Sequence, residues 1–259
     1  MSLTADSIAC VSVLVPAYDE AATIERVLRR VLEQPVVKEI IVVDDGSRDD
    51  TVVNAQKVVD PRVRIIRLSH NQGKTAAIAR AIQEATGEVL IVQDADLEYD
   101  PAEIPLVVAP ILEGHADVVY GSRFLVRRAA RVVYFYHYLA NRFLTTMSNF
   151  LTNLNMTDVE TGYKAFRAEI LKDMPFKSSG FGLEIELTAS IAQLPLRIYE
   201  VPISYYGRTY DEGKKIGLRD AVAAVGYVAW FNIVERHSSE RRAFRHKVLR
   251  ALGKKPNGA

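Results

Sequence analysis

Acidic residues crowd two short segments of this chain at spacings suited to holding cations and sugars. In DADLEYDP, Asp94 to Pro101, carboxylates recur at Asp94, Asp96 and Glu98, directly after the apolar run Leu90, Ile91, Val92. Hard oxygen donors at a strand end can converge on Mg2+ or Mn2+, and such an ion offsets the charge of a departing diphosphate. A plain acidic turn, with Asp100 and Pro101 opening the next helix, accounts for the same residues structurally. The second segment is VVDDGSRDDT, Val42 to Thr51. There Gly46 permits a tight bend and Asp49 or Asp50 can cap a helix. Asp45, nearer the strand end, is placed to accept hydrogen bonds from a base or a ribose.

NQGKTAA, Asn71 to Ala77, looks at first like a phosphate loop. The Walker pattern requires Gly five residues before Gly73, and that position is Leu68. No GxGxxG follows the first strand, which counts against a dinucleotide oxidoreductase. Gly73 and Lys74 read instead as a helix N-terminus facing the same cleft, with Lys74 available for phosphate.

The elements that must position these groups alternate. Cys10 to Pro16 is a short apolar strand, and Glu20 to Gln34 has helical spacing at Ile24, Val27, Leu28, Val31 and Leu32. Glu39 to Asp45, Val63 to Leu68 and Glu88 to Gln93 read as further strands, with helices at Asp49 to Val59 and Lys74 to Ala85 between them. The runs are β-branched and continuous rather than alternating, as a parallel sheet covered on both faces requires. In such a sheet the carboxyl ends of the strands form the ligand crevice, so both acidic clusters point into one cleft. After Gly121 the spacing predicts an aromatic and basic helix at about 132–153, a short β segment at 162–167, a helix at 184–193, a strand at 196–204, a Gly and Lys loop, and final amphipathic helices.

Composition bounds the rest. The chain has 259 residues, 49% of them hydrophobic, which suffices for one large α/β domain. With 33 basic against 32 acidic residues there is no bias toward nucleic acid. The single cysteine, Cys10, excludes an internal disulfide and reads as a buried inert thiol. The N-terminus lacks a basic region, so no secretory signal is expected. The longest apolar stretch, Ala221 to Val234, falls short of the ~20 residues a spanning helix needs. Arg236, Arg241, Arg242, Arg245, Lys247, Arg250, Lys254 and Lys255 crowd the C-terminus, as either a solvated helical face or a surface for anionic lipid. Basic and aromatic residues also interleave from Arg127 to Phe143. Peripheral association with the cytoplasmic face of a membrane, directly or through a membrane-protein partner, is the expectation.

Taken in order, VSVLVPAYDEAATI, IIVVDDGSRDDT, NQGKTAA, DADLEYDP, VVYGSR (Val118 to Arg123), ETGYKAFR (Glu160 to Arg167) and GRTYDEGKKI (Gly207 to Ile216) resemble glycosyltransferase family 2, in particular its polyprenyl-phosphate (dolichol-phosphate) sugar synthases. The resemblance implies a GT-A fold, a Rossmann-like, mostly parallel sheet flanked by helices. It divides the chain into a catalytic domain at 1–216, with a nucleotide-sugar half to about 125 and an acceptor half beyond it, and a basic helical extension at 217–259. It further implies that Pro16, Tyr18, Glu20, Val43 and Asp45 line the nucleotide pocket with Lys74 and Ala95. Asp94 is then a nucleotide and sugar contact, and Asp96 and Glu98 are metal ligands, Glu98 standing where relatives often carry Gln. Arg123, Arg142 and Arg208 would handle phosphates, with Lys214 or Lys215 helping. Guanidinium forks suit that task.

The implied reaction is an inverting transfer of mannose or glucose from GDP-mannose or UDP-glucose to a polyprenyl phosphate. A hydroxyl acceptor would need a base, for which Glu160 and Asp158 are candidates. A silent nucleotide-sugar-binding subunit and a metal-dependent nucleotidyltransferase are the competing readings.

Overall fold

The computed structural model describes residues 9–125, 134–208 and 218–254. Its centre is a seven-stranded sheet ordered β3-β2-β1-β4-β6-β5-β7. The strands are β1 (Val11–Ala17), β2 (Val37–Asp44), β3 (Val63–Arg67), β4 (Val89–Val92), β5 (Val118–Ser122), β6 (Lys164–Arg167) and β7 (Ile198–Pro202). All neighbours run parallel except β6, which is antiparallel to both β4 and β5.

Side chains alternate between the two faces of a strand, and here both faces are covered. Val13, Val15, Ile40, Val42 and Ile91 pack on one side with α1 (Ile24–Leu32) and α4 (Ile104–Leu112). Leu14, Ile41, Val43, Leu90 and Val92 pack on the other with α3 (Lys74–Glu84) and α7 (Leu183–Ile191). The continuous β-branched runs follow from this two-sided burial. In α1, Ile24, Val27, Leu28 and Val31 form the buried stripe that the sequence spacing predicts. Two shorter helices are α2 (Thr51–Gln56) and α6 (Ala168–Leu171).

A third apolar cluster joins α5 (Phe135–Thr152), α7 and α8 (Leu218–Ala229) through Leu144, Ile185, Ala189, Ala224, Val228 and Phe231. The last helix, α9 (Ser239–Ala251), places Phe244, Val248 and Leu249 in the same cluster as Leu14 of β1. Its basic residues are not all surface charges. Arg241 is buried and bonds to Glu186 and to Ser190 Oγ of α7, while Lys254 Nζ lies 2.9 Å from Asp117 Oδ2. The expectation of a uniformly exposed basic face is corrected accordingly, because burying Phe244 carries Arg241 inward with it. Among the described residues, no helix is long and apolar enough to cross a membrane.

Candidate active site

The register of the parallel strands brings their carboxyl ends to one edge. Ala17 of β1 pairs with Asp44 of β2, and Asp44 with Arg67 of β3. The loop after β1 is stitched to the loop after β2. Asp19 N–H donates to Ser47 Oγ at 3.0 Å, Arg48 N–H to Asp19 Oδ1 at 2.9 Å, and Glu20 N–H to Thr51 Oγ1 at 2.8 Å. Thr23 donates from its hydroxyl to the Ala95 carbonyl at 2.7 Å, joining the same loop to the acidic turn after β4. Tyr18, Glu20, Asp45 and the Asp94 turn therefore share one rim. Val43 and Ala95 are buried, so a nucleotide could meet them only through backbone, and Pro16 is partly exposed beside them.

Asp45 has a definite task. Its two carboxylate oxygens each accept a backbone N–H at 2.7 Å, from Gln72 and from Gly73. That grip pins the start of α3, where Gly73 has φ +92°. Its neighbour Asp44, fully buried, keeps Oδ1 without a hydrogen-bond partner and has Arg67 Nε 3.3 Å from Oδ2.

Lys74, the first residue of α3, does not reach into open solvent. Its Nζ lies 2.9 Å from Asp94 Oδ1 and 3.0 Å from Glu184 Oε1. Burial works against its charge, but the two carboxylates outweigh burial and hold its pKa well above the usual lysine value. Gly162 of the ETGYK segment packs against Asp94 beside Lys74, where a Cβ would stand 2.5 Å from Oδ2.

Beyond Asp94 the chain turns tightly, with Leu97 at φ +61° and Glu98 N–H donating to Asp96 Oδ1 at 3.0 Å. A leucine in the left-handed region is strained, and such strain gathers at functional turns. Arg208 fills the centre of the acidic group. Its Nη2 is 2.9 Å from Asp96 Oδ2 and 3.3 Å from Glu20 Oε1, and its backbone N–H donates to Glu98 Oε1 at 2.9 Å. Tyr205 donates its hydroxyl to Glu98 Oε2 at 2.7 Å. Burial, then the charges of Asp94 and Glu98, push the Asp96 carboxyl up to about 7.

A group of acids that closes around a guanidinium is one that suits a cation. Among the described residues, no three His, Cys, Asp or Glu side chains form a ready cage for a metal. The Asp96 and Glu98 pair fits an ion whose remaining ligands come from substrate phosphates, which is how Mg2+ is commonly bound.

Just after β5, Arg123 commits Nε and Nη2 to Asp158, at 2.6 and 2.7 Å. Asp158 is fully buried, and Glu200 of β7 fixes its loop by accepting from Thr157 N–H at 2.9 Å and Asp158 N–H at 3.3 Å. That fork leaves Nη1 as the guanidinium nitrogen not committed to Asp158. The Arg123 guanidinium stacks 5.1 Å from the Tyr205 ring centroid, so one tyrosine links Arg123 to the acidic turn. Arg142 is exposed on α5, and the α5 residue that reaches this pair is Asn141, donating to Asp158 Oδ1 at 3.2 Å. Lys214 and Lys215 lie outside the described residues.

Sequence reasoning missed Glu184, Lys164, Asn141 and Glu200. Lys164 is buried against the carbonyls of Val159 and Thr161, with Nζ 4.6 Å from the Tyr120 ring centroid; burial pulls its pKa down to about 8. Glu160 keeps Oε1 buried without a partner, and burial followed by the charge of Glu184 lifts its carboxyl to about 7. A charged residue in a buried helix has no local signature, so only the ETGYK motif hinted at this cluster.

Comparisons with known proteins identify the family and the fold. The glycosyl transferase family 2 model matches residues 12–174. The dolichol-phosphate mannosyltransferase of Pyrococcus furiosus is 30% identical over 80% of this chain, which spans 59% of that protein. The undecaprenyl-phosphate mannosyltransferase of Micrococcus luteus is 28% identical over 84% of this chain and 92% of its own length. Among solved structures, glucosyl-3-phosphoglycerate synthase from Mycobacterium tuberculosis, in complex with Mg2+ and UDP, superimposes with a TM-score of 0.67 at 24% identity, over 90% of this chain and 84% of that one. The GT-A arrangement implied by the motifs is the arrangement found, and the chain belongs to glycosyl transferase family 2.

Proposed function

We propose that this protein transfers a hexose, mannose or glucose, from a nucleotide diphosphate sugar to a polyprenyl phosphate. The observation that carries the reading is the Tyr205 bridge, which sets an arginine for the acceptor phosphate beside the acids that face the donor. The named activities of the P. furiosus and M. luteus relatives support the acceptor class.

The acceptor phosphate enters largely anionic, since a phosphate monoester has a second pKa of ~6. No strong base is then required. The task becomes alignment of two anions, with Arg123 orienting the acceptor and Arg208 free to move from its carboxylates to the leaving diphosphate. Asp94 orients the donor sugar, and Asp45 keeps the loop before α3 at the nucleotide. Mg2+ or Mn2+, held by Asp96 and Glu98, would supply the charge that offsets the departing diphosphate.

A hydroxyl acceptor is the second reading, favoured by Glu160. Asp158 is excluded as its base because both oxygens serve Arg123, whereas Glu160 Oε1 is unpartnered and its carboxyl titrates near neutrality. A glucosyl-3-phosphoglycerate synthase complex with Mn2+, UDP and phosphoglyceric acid supports both a divalent ion and an acceptor that is not a lipid.

Peripheral docking on the cytoplasmic membrane face completes the proposal. Tyr136, Leu139, Phe143 and Phe150 expose one stripe of α5, joined by Trp230, Ile233 and Val234 after α8. Such a stripe with Arg142 and Arg236 nearby in sequence suits an anionic lipid interface. Protein that stays soluble in flotation with both neutral and anionic vesicles would remove docking. Incubation with UDP-glucose and GDP-mannose, Mg2+ or Mn2+, and either polyprenyl phosphate or phosphoglyceric acid tests the rest. Lipid-linked sugar with release of a nucleoside diphosphate is expected; product only with the soluble acceptor would favour the second reading.

A further inference from the structure

We propose that Glu184 is a positioning residue for sugar transfer, holding the Asp94 carboxylate in one orientation through the ammonium of Lys74. This rests on the reading of Asp94 as a donor contact.

The chain of contacts is short and each link is fixed at its base. Lys74 Nζ stands 2.9 Å from Asp94 Oδ1 and 3.0 Å from Glu184 Oε1, although 110 residues separate Lys74 from Glu184. Lys74 opens α3, and Asp45 anchors that helix start through two backbone N–H groups. Glu184 lies in the first turn of α7, a helix whose nine residues are all buried. Beside the ammonium, Gly162 leaves space in which a Cβ would meet Asp94 Oδ2 at 2.5 Å and Lys74 Nζ at 3.4 Å. Tyr99 fixes this glycine by accepting its N–H at 2.9 Å. The ammonium thus holds one carboxylate oxygen while the Gly162 backbone packs against the other.

Lys74 paired to Asp94 alone would be drawn toward an arriving diphosphate, taking the carboxylate's partner away. Glu184 holds the ammonium on the protein side of Asp94. The second oxygen of Glu184 is buried without a hydrogen-bond partner. Burying an under-satisfied carboxylate is costly, and an apolar residue would pack there at less cost. Its charge toward Lys74 is the feature that an apolar residue could not supply.

Glu184→Gln keeps the shape and removes the charge. With whichever of UDP-glucose and GDP-mannose is turned over and a short polyprenyl phosphate, kcat is expected to fall about tenfold while KM for the polyprenyl phosphate stays within about twofold. In an Asp94→Asn background the same change is expected to cost less than about twofold, because the group it positions is already gone. A full tenfold loss in that background, or a single variant within about twofold of wild type, overturns the proposal. Should Glu184→Gln not fold, Lys74→Met interrupts the chain from its half-exposed end, and additivity with Asp94→Asn is then the overturning result. Wild-type turnover by Asp94→Asn would instead overturn the donor reading. It is told apart because thermal unfolding of the ligand-free protein would still show non-additive shifts for positions 94 and 184.

Discussion

On the donor side of the cleft, β2 and β4 end at Asp44 and Val92, and Asp45, Asp94 and Asp96 follow within a turn. These acids face a rim, and their partners are backbone N–H groups or the cations Lys74 and Arg208. On the side proposed for the acceptor, Arg123, Asp158, Glu160 and Lys164 come from the residue after β5, the loop before β6 and β6 itself, and are largely sealed from solvent. There a buried charge pair fixes the structure in the Arg123 and Asp158 fork, while Glu160 keeps one oxygen without a partner. One region holds charge ready for a ligand, and the other uses charge to fix a shape. Substitutions should therefore cost chemistry on the first side and folding on the second.

The largest expected effect is that of Asp96→Asn. Turnover should fall about a hundredfold or more with folding intact. Thermal unfolding at pH 8 should not drop, because a neutral side chain relieves the crowding with Asp94 and Glu98 that lifts the Asp96 carboxyl to about 7. Unfolding of this variant at room temperature would erase the contrast.

Asp158→Asn is the matching change across the cleft. It leaves the Arg123 guanidinium against half its partner in a buried place, which should lower stability by about 3 kcal/mol, read from the midpoint of urea unfolding at unchanged slope. Wild-type stability would show that the fork is not structural.

Gly162→Ala sits on the boundary between the two sides. Its Cβ must displace Asp94 or Lys74, so kcat should fall about tenfold with a smaller loss of stability. A fall in stability without a fall in kcat would assign Gly162 to the acceptor side alone.

The smallest effect is a pH slope. The Glu160 carboxyl is lifted from its ordinary value to about 7 by burial and by Glu184. The folded protein then binds that proton more tightly than the unfolded chain, so the associated stability is present at low pH and is lost as pH rises through about 7. Unfolding temperatures should decline from pH 5 to pH 8, and Glu160→Gln should flatten the decline. It should not abolish it, because Asp96 acts in the same direction.

How far the sequence discloses this arrangement follows the same division. β1 to β4 stand within a few residues of their expected bounds because each is a continuous apolar run. The acids after them are legible because a charge at the end of such a run has only the crevice to occupy. Asp45 was legible in place but not in contact, since its grip on Gln72 and Gly73 depends on how the loop before α3 folds back. Lys74 pointed to phosphate because nothing near it announces Glu184. α7 is readable as a helix, yet Glu184 and Glu186 resemble surface residues until the cores on both sides of it are assembled. Arg241 misled for the same reason, being one arginine in a basic run that α7 happens to capture.

The Arg208 guanidinium among Glu20, Asp96 and Glu98 bears on the order in which ligands arrive. An arginine tethered to the same chain competes at a high effective concentration, so under the proposed metal role a free divalent ion would meet a resident rival. A nucleotide sugar changes the contest by offering that rival a diphosphate to move to. On that proposal ion and donor would enter together, and the guanidinium meanwhile spares the protein an unpaired knot of negative charge.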